Sequence, residues 1–232
     1  MSKLALGTVQ FGLDYGITNQ SGQVTIKEVK GILDFAKENG IDILDTASGY
    51  GNSEKVLGEV GVDNYQIITK TISLKNGVDR VIDGFYQSLD DLSQKQVEGL
   101  LIHNIQDIEN KQFNALFNKL NELKQQGLIK KIGFSTYTPE QVNFLLENFD
   151  FNIIQVPFNV FDTRLIQSGQ LQALKSKGVE IHSRSVFLQG LVFMNPNKLS
   201  EHFDKYKHQF LSFQNKCVQL NQSVASVCLN YV

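Results

Sequence analysis

Short apolar runs rich in β-branched residues alternate along this chain with stretches of helical spacing, which is the pattern of a parallel sheet with crossover helices. Seven runs are visible, at residues 4–7, 41–44, 66–69, 97–102, 131–134, 153–156 and 179–182. The stretches between them carry ordinary helix start and stop signals. Thr25 is placed to cap a helix over 26–39 that Gly40 ends, and Thr138-Pro139 opens another with proline in its first turn. Gly127 and Gly178 close two more. Residues 199–232 read as two helices broken near Asn221, Gln222 and Ser223, with Ser223 capping the second and no eighth strand after it.

No linker, repeat or charge block divides the chain, so residues 1–232 are expected to form one domain. Seven strand-helix units, against the roughly 250 residues usual for eight, predict an α/β fold of the TIM-type (β/α)8 barrel class, incomplete, without its last strand and helix. A doubly wound open sheet is the alternative. It lacks its best support, because no G-x-G-x-x-G follows the first run.

Composition narrows the function classes. With 22 basic and 24 acidic residues the chain has a net charge of −2, so no basic field is available to hold a nucleic acid. Cys217 and Cys228 are too far apart for a zinc or redox motif and read as small core residues in a reducing compartment. The N-terminus does not read as a signal peptide and no apolar run reaches a membrane span, so a soluble, cytoplasmic protein without membrane contact is expected.

In such a barrel, side chains just past the strands converge on one mouth. Those positions hold Asp45-Thr46-Ala47-Ser48-Gly49-Tyr50-Gly51-Asn52-Ser53-Glu54 after the second run, then Lys70, His103, Ser135 and Gln155. On the string D-T-A-x-x-Y-G-x-S-E, followed in order by Lys70 and His103, the chain resembles the aldo-keto reductase family from Gly7-Thr8 to Val232. The shorter matches G-F-S at Gly133, Q-V-P-F-N at Gln155 and Q-G-L at Gln189 agree in order and place.

The resemblance implies hydride transfer from reduced NADP, with NAD as the alternative, to an aldehyde or ketone, and a catalytic set of Asp45, Tyr50, Lys70 and His103. Tyr50 would protonate the carbonyl oxygen. A free tyrosine ionises near pH 10, so a neighbouring cation, Lys70, would be needed to stabilise its phenolate, with Asp45 keeping that lysine charged. His103 would donate a hydrogen bond to the substrate oxygen. By the same resemblance Ser135 and Gln155 would hold the nicotinamide carboxamide, Thr8 and Asp45 its ribose, and Ser185, Leu188 and Gly190 would approach the pyrophosphate.

Each of these residues has a structural reading too: a turn acceptor, a rim aromatic, an ion-pair partner, a satisfied histidine. Their conjunction at successive strand ends favours the chemical one. His182 has no partner legible in the sequence, Gly12 and Gly16 read as loop flexibility, and Phe11, Phe158 and Phe161 as either pocket lining or packing. Two positions depart from the family pattern: Thr136 stands where asparagine is common, and Arg184 where an aromatic residue often stacks on the nicotinamide. The family segment that would supply an eighth strand and hold the adenosine 2′-phosphate has no counterpart in the sequence, which predicts unpaired first and last strands and a possible homo-oligomer through that gap. Two rival functions are a non-catalytic module that binds a ligand or partner, and a lyase using Lys70 as a Schiff-base amine.

Overall fold

The computed structural model describes residues 4–232, and its sheet contains seven parallel strands in sequence order. They are β1 (Ala5–Gly7), β2 (Ile43–Asp45), β3 (Gln66–Lys70), β4 (Val97–Ile102), β5 (Ile129–Ser135), β6 (Ile153–Pro157) and β7 (Glu180–Arg184). Among the described residues ten α-helices accompany them: α1 (Val9–Gly12), α2 (Ile26–Glu38), α3 (Ser53–Val60), α4 (Val78–Asp91), α5 (Phe113–Gln125), α6 (Pro139–Asn148), α7 (Arg164–Gln167), α8 (Gln170–Ser176), α9 (Lys207–Gln219) and α10 (Val224–Tyr231). The result is a curled, incomplete (β/α) barrel.

All seven predicted strands are present; β5 begins at Ile129, before the expected Lys131, and β7 runs on to Arg184, while the late starts of β2 and β7 share one cause. The second and seventh runs were expected to begin at Ile41 and Val179, but each of those residues still belongs to the close of the preceding helix. Gly40 and Gly178 adopt φ of +73° and +69°, and the next N–H turns back to Ala36 O and Leu174 O, at 2.9 and 3.1 Å. That left-handed closure uses the donor a strand would need. At the other end β2 gains Asp45, whose Cα lies in register with Gly7 and Ile68.

Capping chemistry fixes the helix starts. Thr25 and Glu28 form a reciprocal capping box on α2, Thr138 and Gln141 another on α6, and Ser223 caps α10. Within β5, Gly133 lets the wall close, since a Cβ there would stand 1.8 Å from Ile153 O of β6. The main core lies between the wall and its helices, with Val29, Leu57, Leu100, Leu120, Phe134 and Leu145 buried in it. A small layer of Ile68, Leu101 and Ile153 forms a separate apolar cluster contributed by β3, β4 and β6.

A second apolar cluster joins Leu191, Val192 and Leu199 to Phe210 of α9 and Cys228 of α10. Phe11 and Phe158 belong to the main core, while Phe161 packs on Phe210 and Phe213, so all three read as packing. Among the described residues β1 and β7 each pair on one side only. Every residue of β7 is partly exposed, whereas β6 is buried along four of its five. No helix among the described residues is long and apolar enough to cross a membrane.

Candidate active site

Asp45 ends β2, Lys70 ends β3, His103 follows β4, Ser135 ends β5 and Gln155 lies within β6, so register alone carries these side chains to one rim. Lys70 is almost wholly buried. Its Nζ donates to Asp45 Oδ1 and Oδ2 at 2.8 and 2.9 Å, to Thr46 O at 2.8 Å and to Tyr50 Oη at 3.3 Å. The ammonium also lies 4.8 Å from the Tyr50 ring centroid. Asp45 Oδ1 accepts a further bond from Gln155 Nε2 at 2.8 Å, which ties β2 across to β6.

The His103 ring meets the Tyr50 ring edge-on, with centroids 5.9 Å apart. The four expected groups are therefore one contiguous cluster. Burial raises the Tyr50 pKa above its ordinary value; Lys70 pulls it down but does not offset the burial, and Asp45 pushes the same way as burial. Tyr50 is thus the protonated phenol at neutral pH. Burial, then the Lys70 and Arg184 charges, lower the His103 pKa, so its imidazole is neutral there.

Behind the cluster runs a buried polar lattice. Glu54 on α3 accepts from Thr69 Oγ1 at 2.5 Å, and Ser48 Oγ donates to Lys70 O at 3.0 Å and meets Ser88 Oγ at 2.9 Å. Burial raises the Glu54 pKa, which favours the neutral acid in that setting. The D-T-A-x-x-Y-G-x-S-E string contained Glu54, but nothing in it announced a partner on the adjoining strand.

Gly12 is a second missed residue, and here the flexible-loop reading is corrected. Gly12 is buried at the end of α1, and a Cβ on it would fall 1.8 Å from Tyr50 O and 2.4 Å from Ser53 N. It seats the loop that carries Tyr50. Thr8 is fully buried, donates to Asp45 O at 3.1 Å and accepts from Ser53 Oγ at 2.9 Å, so its hydroxyl holds the Asp45 backbone. His182 does have a partner: its Nε2 lies 2.7 Å from Glu180 Oε1.

Past β7 the chain turns through left-handed backbone at Ser185, Leu188 and Gln189, with φ of 59°, 48° and 55°, before Gly190 at 91°. Non-glycine residues held there cost about 1–3 kcal/mol each and cluster at ligand clamps. At Gly190 a Cβ would meet Thr18 Oγ1 at 2.0 Å. Arg184 spends its NH2 on Thr136 O at 2.9 Å and its NH1 on Ser185 Oγ at 3.3 Å, and lies 4.3 Å over the Tyr137 ring. Thr136 Oγ1 is buried without a partner.

The model of the aldo/keto reductase family matches residues 3–232. The chain belongs to that family. Among relatives, oxidoreductase sirO of Leptosphaeria maculans is 26% identical over 209 residues, 84% of this chain and 63% of sirO. The Bombyx mori aldo-keto reductase crystallised with NADP is 25% identical, with a TM-score of 0.62 over 82% of this chain and 63% of that one. The glycerol dehydrogenase of Gluconobacter oxydans shares the fold at 22% identity, with a TM-score of 0.74 over 98% of this chain and 78% of its own. This aldo-keto reductase chain thus spans under two thirds of the length of sirO and of the Bombyx protein.

Proposed function

We propose that this chain is an NADP(H)-dependent carbonyl oxidoreductase in which Tyr50 gives its phenolic proton to the carbonyl oxygen. The carrying observation is the Lys70 ammonium held 3.3 Å from Tyr50 Oη and clamped by Asp45. When bound, reduced NADP supplies the hydride.

The chain's own groups do the rest. The phenol is protonated and ready to donate, and as its proton leaves, the adjacent ammonium stabilises the phenolate left behind. His103, neutral beside Tyr50, donates to the same carbonyl oxygen in the tautomer that places a proton toward it, which orients the substrate and disperses the charge that develops on oxygen. Lys70 directs its N–H groups at Asp45, Thr46 O and Tyr50, which leaves no free amine for a Schiff base.

Several features fit the cofactor. Ser135 and Gln155 are in direct register on β5 and β6, and Gln155 uses its Nε2 on Asp45 while keeping its carbonyl oxygen for a carboxamide N–H. The orphaned Thr136 Oγ1 adds a polar atom beside them. Asp45 would hold the ribose, with Thr8 acting behind it. The left-handed turn of Ser185, Leu188 and Gly190 would cradle the pyrophosphate with backbone N–H groups.

The test is Tyr50→Phe. NADPH-dependent reduction should fall about 10²- to 10⁴-fold while NADPH affinity, by calorimetry, stays unchanged. An unimpaired variant would sink the assignment. A native chain that fails to bind NADPH at millimolar concentration would leave the non-catalytic module as the better reading.

A further inference from the structure

The D-T-A-x-x-Y-G-x-S-E string ends in a residue that the reaction proposed above does not use. Glu54 is buried in the first turn of α3, and among the described residues it forms no ion pair. A carboxyl taken out of water is costly to a fold unless it is neutral and hydrogen-bonded. Thr69 Oγ1 donates to Glu54 Oε1 at 2.5 Å, and burial raises the Glu54 pKa by more than the bonds from Thr69 and Ser88 lower it. A leucine would fill the same space without that cost. What the carboxyl adds is a directed bond.

Side chains alternate across a strand, so Thr69 and Lys70 point to opposite faces of β3. Lys70 meets Asp45 and Tyr50 on the barrel side, while Thr69 meets Glu54 on the helix side. The segment that carries Tyr50 is thereby fastened to β3 on both sides of that residue. Two residues before it, Ser48 Oγ donates to Lys70 O at 3.0 Å; four residues after it, Glu54 holds Thr69. Ser53 turns the other way, its Oγ donating to Thr8 O at 2.9 Å beside β1. Between Lys70 and Tyr50 themselves there is one hydrogen bond, at 3.3 Å, on the long side for such a contact. Its length depends on how the two segments are held.

We propose that Glu54 is a positioning residue of the reaction: bonded to Thr69 from the helix side of the wall, it fixes α3, and with it the Tyr50 loop, against the strand that carries Lys70, and so sets the approach of Lys70 Nζ to Tyr50 Oη. This rests on the carbonyl-reducing reading of the same site. Glu54 lies across the wall from the reacting groups and acts on them through Thr69 and Lys70. A misplacement of about 1 Å at a reacting centre costs about 10²-fold in rate, so a small shift of the loop is enough to register. A carboxamide offers Thr69 the same acceptor oxygen as the neutral carboxyl, so glutamine serves at this position and leucine does not.

The experiment compares the full native chain with Glu54→Leu, Thr69→Val and Glu54→Gln, in reduction of 4-nitrobenzaldehyde by NADPH and in a crystal structure of each. Glu54→Leu and Thr69→Val should each lower kcat at least about tenfold, leave KM for the aldehyde and NADPH affinity unchanged, and widen the separation of Lys70 Nζ from Tyr50 Oη. Glu54→Gln should hold the native separation and keep kcat within about threefold of native. Thr69→Val keeps a β-branched residue in β3 and removes the donor from the other side, so it decides the matter if Glu54→Leu does not fold. Native kcat in a folded Glu54→Leu or Thr69→Val chain, a Glu54→Gln chain as impaired as Glu54→Leu, or a loss shared by kcat, KM and cofactor affinity would each overturn the proposal. The structures separate it from the reaction it serves. A native chain that reduces no aldehyde rejects the reaction, and the separation in Thr69→Val then decides the positioning by itself; native reduction with an unaltered separation in Thr69→Val keeps the reaction and rejects the positioning.

Discussion

The wall carries two lysine-carboxylate clusters, and they differ in company more than in kind. At the carboxyl ends of the strands Lys70 and Asp45 pair at 2.8 Å, with Lys70 only 1% exposed, Tyr50 and Thr46 O filling its remaining contacts and Gln155 donating to Asp45. Toward the other end, Glu98 of β4 accepts from Lys130 and Lys131 of β5, and Lys131 reaches on to Glu180 of β7, which also meets His182. There Lys131 is 29% exposed and Lys130 53%. Burial separates an ion pair that can act on a neighbouring phenol from one that bolts strands together. At the amino ends of barrel strands, such contacts serve stability.

Removing a cation should therefore cost far more at one end than at the other. Lys70→Met leaves Asp45 partly buried with Gln155 as its remaining side-chain donor, and should destabilise by about 3 kcal/mol in denaturant melts. It should also lower the reduction rate by about 10²-fold or more, because the phenolate loses its ammonium. Adding Asp45→Asn should return part of the stability and none of the rate. Recovery of rate in that double variant would show that the pair serves only packing.

The next effect reaches Tyr50 without touching the ion pair. In Gly12→Ala the new methyl would sit 1.8 Å from Tyr50 O and 2.4 Å from Ser53 N, both backbone atoms that cannot swing aside. A loss of about 1–3 kcal/mol is expected from overpacking, with a fall in rate as the Tyr50 loop shifts. Wild-type rate in a stably folded Gly12→Ala protein would separate the seat from the chemistry.

These two residues also show what the sequence could and could not carry. Lys70 was legible because strand ends in a barrel converge and a motif orders the residues along it. Gly12 was not, since a close approach between segments 38 residues apart leaves no local mark beyond the glycine itself. The same holds for Glu54 and Thr69, whose 2.5 Å bond depends on how α3 lies against β3. Strand positions were legible from β-branched runs. Their starts were not where a left-handed glycine borrowed one residue more for the helix, as at Gly40 and Gly178.

At the opposite end the expected change is smaller. Lys131→Met removes partners from both Glu98 and Glu180, but these side chains remain in reach of water and Glu98 keeps Lys130. A loss of about 1 kcal/mol or less, shrinking further in high salt, is expected, with the reduction rate unchanged. A rate loss comparable to that of Lys70→Met would break the distinction between the two clusters.

The smallest effect is one of sign. For Glu98 and Glu180 burial pushes the pKa up, but hydrogen bonds from Lys131, Lys130 and His182 outweigh it and leave both carboxyls below the ordinary range. A lowered carboxyl stabilises the fold above its unfolded value of about 4.3 and loses that contribution as the pH falls through the folded value. Glu54 behaves the other way. Burial raises its pKa, so the unfolded chain releases the proton first and stability declines as the pH climbs from the ordinary carboxylate value toward the raised one. Glu54→Gln should therefore flatten the loss on the rising side and leave the acid limb alone, while Glu98→Gln should flatten the acid limb and leave the rising side alone. Melting temperatures of the two variants across pH 3 to 8 provide the comparison; identical profiles would mean that neither carboxyl titrates as its surroundings require.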